Sequence, residues 1–276
     1  LAALINSQPM GFYPPASLVR DAGRRGVRTL RTCIHRSQVG CTVEDGAVLL
    51  GLRMVRGLGD AAARIVHERE VGGGFAGLAD LISRTNLRPE QMATLARAGA
   101  LDAFDVPERE MLWQIGTLAR PRITVAGEQL PLPLDPASAP ALPVPDRIDR
   151  VLAEYETTGV STGWHLMTLV RPALPAGTVT AQALRDARHG STVTVGGMVV
   201  ARQRPATAGG IVFLLLEDET GAINVIIRPD LYESHRAIVR ADPLLVITGR
   251  LERRERVVNV LARDIRPARL PARDPV

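Results

Sequence analysis

The chain has no lysine. All 34 of its basic residues are arginine, aromatic residues make up only 3% of its 276 positions, and cysteine occurs twice. Each shortage excludes something. Two cysteines make no disulfide framework and fit a reducing, cytoplasmic setting. No apolar run approaches the ~20 residues needed to cross a bilayer, and no secretory leader opens the sequence, so no membrane partner is expected. Few aromatics leave little material for a base-stacking platform. The missing lysine reads as a GC-rich coding bias, although the planar guanidinium also grips phosphate better than an ammonium does. Cys33, His35 and Cys41 would supply three zinc ligands, but no fourth is in view and the spacing fits no zinc pattern, so they read as structural and no metal is expected.

What is present is positive charge and a particular turn. The formal net charge is +5 and the pI near 10.1, which favours a polyanionic partner. The length allows one to three domains with real cores. An apolar run from Ala47 to Leu52, continued by Met54 and Val55, leads into Gly57-Leu58-Gly59, and a helix-forming stretch from Asp60 to Arg69 follows at once. This is the pattern of a helix-hairpin-helix element. Its two glycines permit a tight turn and close approach to a phosphate. Leu58 anchors the turn, and the helix opening at Ala61 aims its free N–H groups at the anion. Arg56, Gly57, Leu58, Gly59, Ala61 and Arg64 are therefore candidate DNA contacts. A hairpin that merely joins two packed elements would show the same residues.

Along the chain, residues 1–45 read as helices and a strand, with Pro14 and Pro15 opening one helix and Gly26 just past its end. Val27 to Cys33 and Ala47 to Val55 read as strands around a polar turn. Short helices are expected from Ala79 to Thr85, Pro89 to Arg97 and Pro107 to Leu118. Gly99-Ala100-Leu101 makes a second, looser hairpin between the last two, so residues 46–119 read as a tandem helix-hairpin-helix domain with Gly99 as a further contact. Residues 120–145 hold seven prolines and little charge, the composition of an extended linker. Residues 146–190 form a helical connector: Asp146 caps an amphipathic helix that ends at Gly159, and Trp164 to Val170 form another.

From Thr192 the period becomes that of strands. Residues 191–268 give three strands, one helix from Pro229 to about Arg240, and two more strands, the element order of an OB-fold barrel; residues 269–276 are a tail. The fold class is thus multidomain α+β, helical with tandem hairpins first and an all-β barrel last. Phe213 is the single strand aromatic, and a core position would suit it equally. Arg202, Arg204, Arg228, Arg253 and Arg254 are candidate single-strand contacts, as would be the arginines of any solvated barrel rim.

In combination these segments resemble bacterial DNA polymerase III α subunits. Asn6-Ser7-Gln8-Pro9-Met10-Gly11-Phe12-Tyr13 and Leu18-Val19-Arg20-Asp21-Ala22 are similar to the end of that family's fingers region. Gly51-Leu52-Arg53 through Gly59, and Arg97-Ala98-Gly99-Ala100-Leu101, resemble its tandem hairpins. Thr158-Gly159-Val160-Ser161 with His165, Val212-Phe213 through Gly221, Arg228-Pro229-Asp230 and Gly249-Arg250-Leu251 resemble its error-prone branch, which serves damage-induced mutagenesis. One departure is Arg228, where an aromatic is usual. The resemblance implies the DNA-handling, C-terminal portion of a bacterial translesion-type polymerase, whose full-length form would use Mg²⁺ on palm carboxylates. That palm is absent from this sequence: Asp102 with Asp105, and Asp218 with Glu219, lie in turns. No cofactor is expected of this portion, and duplex and single-stranded DNA are its expected partners. Gln129-Leu130-Pro131-Leu132-Pro133-Leu134 lies where replicative relatives carry a sliding-clamp motif. Gln129, Leu130, Leu132 and Leu134 are candidate clamp contacts, with Pro133 where an aromatic is usual. Mutasome accessory proteins are further implied partners.

Two rivals remain open. A stand-alone accessory protein of repair or recombination would carry the same hairpins and barrel without chemistry. A helix-hairpin-helix glycosylase would place a catalytic carboxylate near Asp80, but the neighbouring catalytic lysine is absent and Ala79-Asp80-Leu81 reads as an ordinary helix start. The sequence begins at Leu1 inside a helical pattern, which points to a piece of a longer chain.

Overall fold

The computed structural model describes residues 1–10, 14–118, 142–255 and 257–271. It separates into two compact units, Leu1–Gly163 and Trp164–Val276.

The first unit opens with α1 (Ala2–Asn6) and α2 (Pro15–Arg24), the latter with proline at its first turn as the sequence predicts. A small sheet follows, and here the structure corrects the expected pair of long strands. β1 (Thr29–Leu30) has only two residues and lies parallel to β3 (Ala47–Leu49). The antiparallel partner of β3 is β2 (Thr42–Glu44), joined to it through Asp45 and Gly46, both at positive φ. The strand stops at Leu49 because Gly51 lies against the backbone of Val39 and Gly40, where no side chain fits. Leu52 and Arg53 then donate their N–H groups to Gln38 O and Val39 O at 2.9 and 3.0 Å, so the backbone winds into a 3-10 turn over Leu52–Met54.

Among the described residues five helices follow in this unit: α3 (Ala61–Gly72), α4 (Leu78–Thr85), α5 (Pro89–Arg97), α6 (Glu108–Leu118) and α7 (Arg147–Thr158). Their ends follow from local chemistry. Asp146 accepts the Asp149 N–H at 2.6 Å to start α7, and Gly159, at φ +74°, ends it by donating to Tyr155 O at 3.0 Å. Leu52, Leu58, Ile65, Leu81, Leu95 and Leu101 form the fully buried centre between these helices.

In the second unit α8 (Leu166–Val170) precedes a barrel. β5 (Thr192–Gln203), β6 (Val212–Asp218) and β7 (Gly221–Ile227) run antiparallel; β8 (Leu244–Arg254) and β9 (Val257–Pro267) close the sheet, β9 against β7 and β8 against β5. This is the five-stranded OB-fold that the element order predicts. A two-residue strand, β4 (Thr178–Val179), adds to β5. The single expected helix is two, α9 (Pro229–Ser234) and α10 (Arg236–Ala241), because His235 at φ −117° leaves the helical region between them. Val195, Leu214, Leu216, Val225, Ile247 and Val260 fill the barrel.

The β6–β7 turn is held by Asp218, which is fully buried. Its carboxylate accepts the N–H groups of Ala181, Thr220 and Gly221 at 2.7, 2.8 and 2.9 Å, the Thr220 hydroxyl at 2.7 Å and the Arg171 guanidinium at 3.1 Å. Arg171 also pairs with Glu219. These donors account for the acidic pair seen in the sequence. Removing the carboxylate leaves several buried donors unmet, each costing ~1–3 kcal/mol. Asp218→Ala is expected to destabilise the second unit by at least ~2 kcal/mol in urea unfolding, with the first unit's transition unchanged.

Candidate nucleic-acid interface

The first hairpin is built from the 3-10 turn, the Gly57-Leu58-Gly59 loop and the start of α3. Gly57 and Gly59 sit at φ +75° and +52°, a region that disfavours side chains, and the space where a Cβ would project is open at both. The loop can therefore be approached by a phosphate. Leu58 is 1% exposed and locks it to the core. Its carbonyls are pinned from behind by Gln91 on α5, whose Nε2 donates to Gly57 O at 3.1 Å and Leu58 O at 3.3 Å. The Gln91 Oε1 in turn accepts the Arg88 N–H at 3.1 Å. Sequence reasoning missed Gln91, because the partners that explain a buried glutamine lie thirty-odd residues away.

The flanking arginines are partly committed. Arg56 donates its N–H to Thr157 O at 2.8 Å and its guanidinium to Glu156 O at 3.0 Å, capping the C-terminal end of α7. Arg64 donates from Nε to Thr85 O at 3.0 Å, tying α3 to α4. Arg53, on the exposed side of the 3-10 turn, makes no side-chain hydrogen bond or ion pair among the described residues and is a candidate contact that sequence reasoning missed. Ala61 begins the helix, buried, with its N–H on Leu58 O at 3.0 Å.

The second hairpin differs. Gly99 is at φ +72°, but a Cβ there would lie 3.1 Å from the Asp102 carboxylate and 3.3 Å from the Arg31 guanidinium. An ion pair of those two groups, 3.4 Å long, covers the turn. In place of a Gly-x-Gly, a 3-10 turn over Asp102–Phe104 leads to α6, and Ala100 O is taken by Ile34 N at 2.8 Å. Of the two turns, only the first is a Gly-x-Gly with open space at both glycines.

Cys41 is buried, which pushes its thiol up, and its Sγ accepts the Gly51 N–H at 3.4 Å. His35 packs edge-on to Phe104, with ring centroids 5.4 Å apart.

On the barrel, strand alternation decides direction. Val212, Leu214 and Leu216 point inward, so Phe213 points outward and is 37% exposed; the core position open to it in the sequence is excluded. Register places Phe213 beside Ile226, then Leu261, then Arg250, in one row across β6, β7, β9 and β8. The next row runs Leu215, Asn224, Asn259, Glu252. The arginines named from the sequence divide into two groups. Arg202 is spent on Val239 O and Asp242 O at 2.8 and 2.6 Å. Arg204 stacks on Tyr232 at 4.7 Å and pairs with Glu233 at 3.4 Å. Arg253 gathers the carbonyls of Leu184, Arg185 and Ala187 at 3.3, 2.6 and 3.0 Å. Arg228 and Arg254 are exposed and, among the described residues, make no side-chain bond; the same holds for Arg250, which sequence reasoning also missed. Gln129, Leu130, Leu132 and Leu134 lie outside the described residues.

Similarity to known proteins agrees with this geometry. A helix-hairpin-helix motif family matches residues 26–111, and an OB-fold nucleic acid binding domain family matches residues 193–268. The error-prone DNA polymerase of Burkholderia pseudomallei is 43% identical over 90% of this chain and 24% of its own length. Those of an Anaeromyxobacter species and of Mycobacterium bovis are each 39% identical, over 97% and 95% of this chain and 24% of their own. Over nearly its whole length the chain is similar to one part of error-prone DNA polymerases. It spans about a quarter of the length of these curated relatives, and its two domains are of nucleic-acid-binding type. Among the described residues no helix is long and apolar enough to cross a membrane.

Gly57→Ala with Gly59→Ala is expected to cost ~1–2 kcal/mol per residue through backbone strain alone, since no clash is created. Duplex affinity, read by fluorescence anisotropy, should fall with it. Gln91→Leu should lower that affinity while leaving every outward group of the hairpin in place. On the barrel, Arg253→Ala should lower the unfolding midpoint. Arg254→Ala should leave the midpoint unchanged and reduce the salt slope of single-strand binding by about 1.

Proposed function

We propose that this chain is the DNA-handling portion of an error-prone, translesion-type polymerase that acts in DNA repair and damage-induced mutagenesis, and that it carries no catalytic centre of its own. The observation that carries the reading is the pairing of an open Gly57-Leu58-Gly59 hairpin with an OB-fold on a chain that aligns nearly end to end with part of error-prone polymerases. The hairpin takes duplex phosphates through backbone N–H groups and nearby guanidinium groups, without regard to sequence. The outward face of β6, β7, β9 and β8 takes the single-stranded template, with Phe213 under a base and Arg228, Arg250 and Arg254 along the phosphates.

In the full-length enzyme Mg²⁺ would serve phosphoryl transfer. The carboxylates of this chain are poorly suited to hold it. Asp218 is saturated by N–H, hydroxyl and guanidinium donors, Asp102 is paired with Arg31, and no group of three metal-ligating side chains occurs among the described residues. No step through the metal is assigned to this chain. A cytoplasmic bacterial location, and the sliding clamp and mutasome accessory proteins as partners, belong to the same reading, which the clamp-like Gln129-Leu130-Pro131-Leu132 stretch supports.

Primer extension with the chain, Mg²⁺ and all four nucleotides is expected to give no product, while duplex DNA shifts in a binding assay at low salt. Extension by the pure chain, or no DNA binding at any salt concentration, would overturn the reading.

A further inference from the structure

The outward face of the barrel carries more than a stacking platform. Beside the apolar row of Phe213, Ile226 and Leu261 lies the polar row of Asn224, Asn259 and Glu252, each the direct cross-strand neighbour of the next. Buried neighbours fix their direction: Ile223 and Val225 point inward around Asn224, Val260 follows Asn259, and Leu251 precedes Glu252. Among the described residues none of the three side chains is hydrogen-bonded, whereas Thr194 and Thr248, outward in the same sheet, pair at 2.9 Å. Cross-strand neighbours stand ~5 Å apart, so each adjacent pair in the row is about as wide as the hydrogen-bonding edge of one base.

We infer that Asn224, Asn259 and Glu252 read the edges of unstacked bases on this face and favour bases bearing an amino group, cytosine above thymine. This inference rests on the reading of the face as a single-strand site. An asparagine amide offers one donor and one acceptor and can turn to suit either pyrimidine. The glutamate cannot: ionised, it only accepts. Cytosine presents its N4 amino group to such an acceptor, with N3 beside it to take a hydrogen from an asparagine Nδ2. Thymine presents N3–H between two carbonyl oxygens, and those oxygens meet the carboxylate unfavourably. Glu252 therefore sets the sense of the discrimination, its neighbour Asn259 supplies the second bond, and Asn224 meets the edge of an adjoining base. The apolar row alone would hold any base, because every base has a π-face. Recognition of splayed, single-stranded bases by edge contacts beside an aromatic is a general solution for single strands.

The test uses the whole chain, with excess unlabelled duplex present to occupy the hairpin. Labelled oligomers of deoxycytidine and of deoxythymidine are titrated by fluorescence anisotropy at slightly alkaline pH, where cytosine is neutral. The native chain should prefer deoxycytidine by about five- to tenfold. Asn224→Ala with Asn259→Ala should weaken both oligomers at an unchanged salt slope and leave deoxycytidine the preferred one, because Glu252 remains. Glu252→Gln separates recognition from plain charge: recognition raises deoxythymidine binding selectively, whereas removal of a like charge raises both equally. Equal affinities in the native chain, or an equal rise for both oligomers in E252Q, overturn the inference and leave the single-strand reading standing. No binding of either oligomer overturns both and leaves the face to a protein partner. The unfolding midpoints of the variants, all on the outward surface, should match the native one.

Discussion

The structure depends on arginine guanidinium groups donated to backbone carbonyls. Arg69 reaches across to Ile34 O and Ser37 O, fixing α3 to the turn before the small sheet. Arg84 holds the carbonyls of Glu68, Gly73 and Gly74 together while lying over the Phe75 ring. Arg56 and Arg64 do the same for α7 and α4, and Arg202 and Arg253 for the barrel. Loop and helix-end carbonyls that no N–H reaches need donors, and a planar fork with five N–H groups meets two or three at once. A chain without lysine uses its only cation for this work. The consequence is that net charge overstates the charge available to a ligand, since several guanidinium groups that look free in the sequence are already committed.

Much of the fold was legible because it was local. The helix-start chemistry of Asp146, the stop at Gly159, the prolines opening α2 and α5, and the period change at Thr192 each act within a few residues, and the structure agrees at each. The small sheet departs from expectation because its form is decided at a distance: Gly51 must pass the backbone of Gly40, and no propensity reports that contact. The division of the barrel helix at His235 is a further example, with an ordinary helical composition on both sides.

The site was legible in outline and not in detail, for the same reason. Gly57-Leu58-Gly59 announces a turn, and its glycines do take positive φ. What makes the two hairpins unequal is the Arg31–Asp102 pair over Gly99, formed by residues 71 positions apart. On the barrel, alternation alone sends Phe213 outward once Val212 and Leu214 are core. Its direction is a property of the strand and not of the aromatic as an isolated residue. Arginines could not be sorted at all from sequence, since commitment to a carbonyl leaves no mark on the neighbouring residues.

The C-terminal turn of α7 carries one more implication. Glu156 receives Arg56 from the first hairpin through its carbonyl and Arg97 from the helix before the second through its carboxylate, at 3.0 and 2.6 Å, while Asp149 pairs with Arg109 of α6 at 3.8 Å. The helices on either side of residues 119–141 are thus clamped into one body by contacts that do not involve those residues. The mutual placement of the two hairpins is therefore set by these side-chain contacts and not by the composition of the intervening residues, which leaves that sequence to answer to a partner.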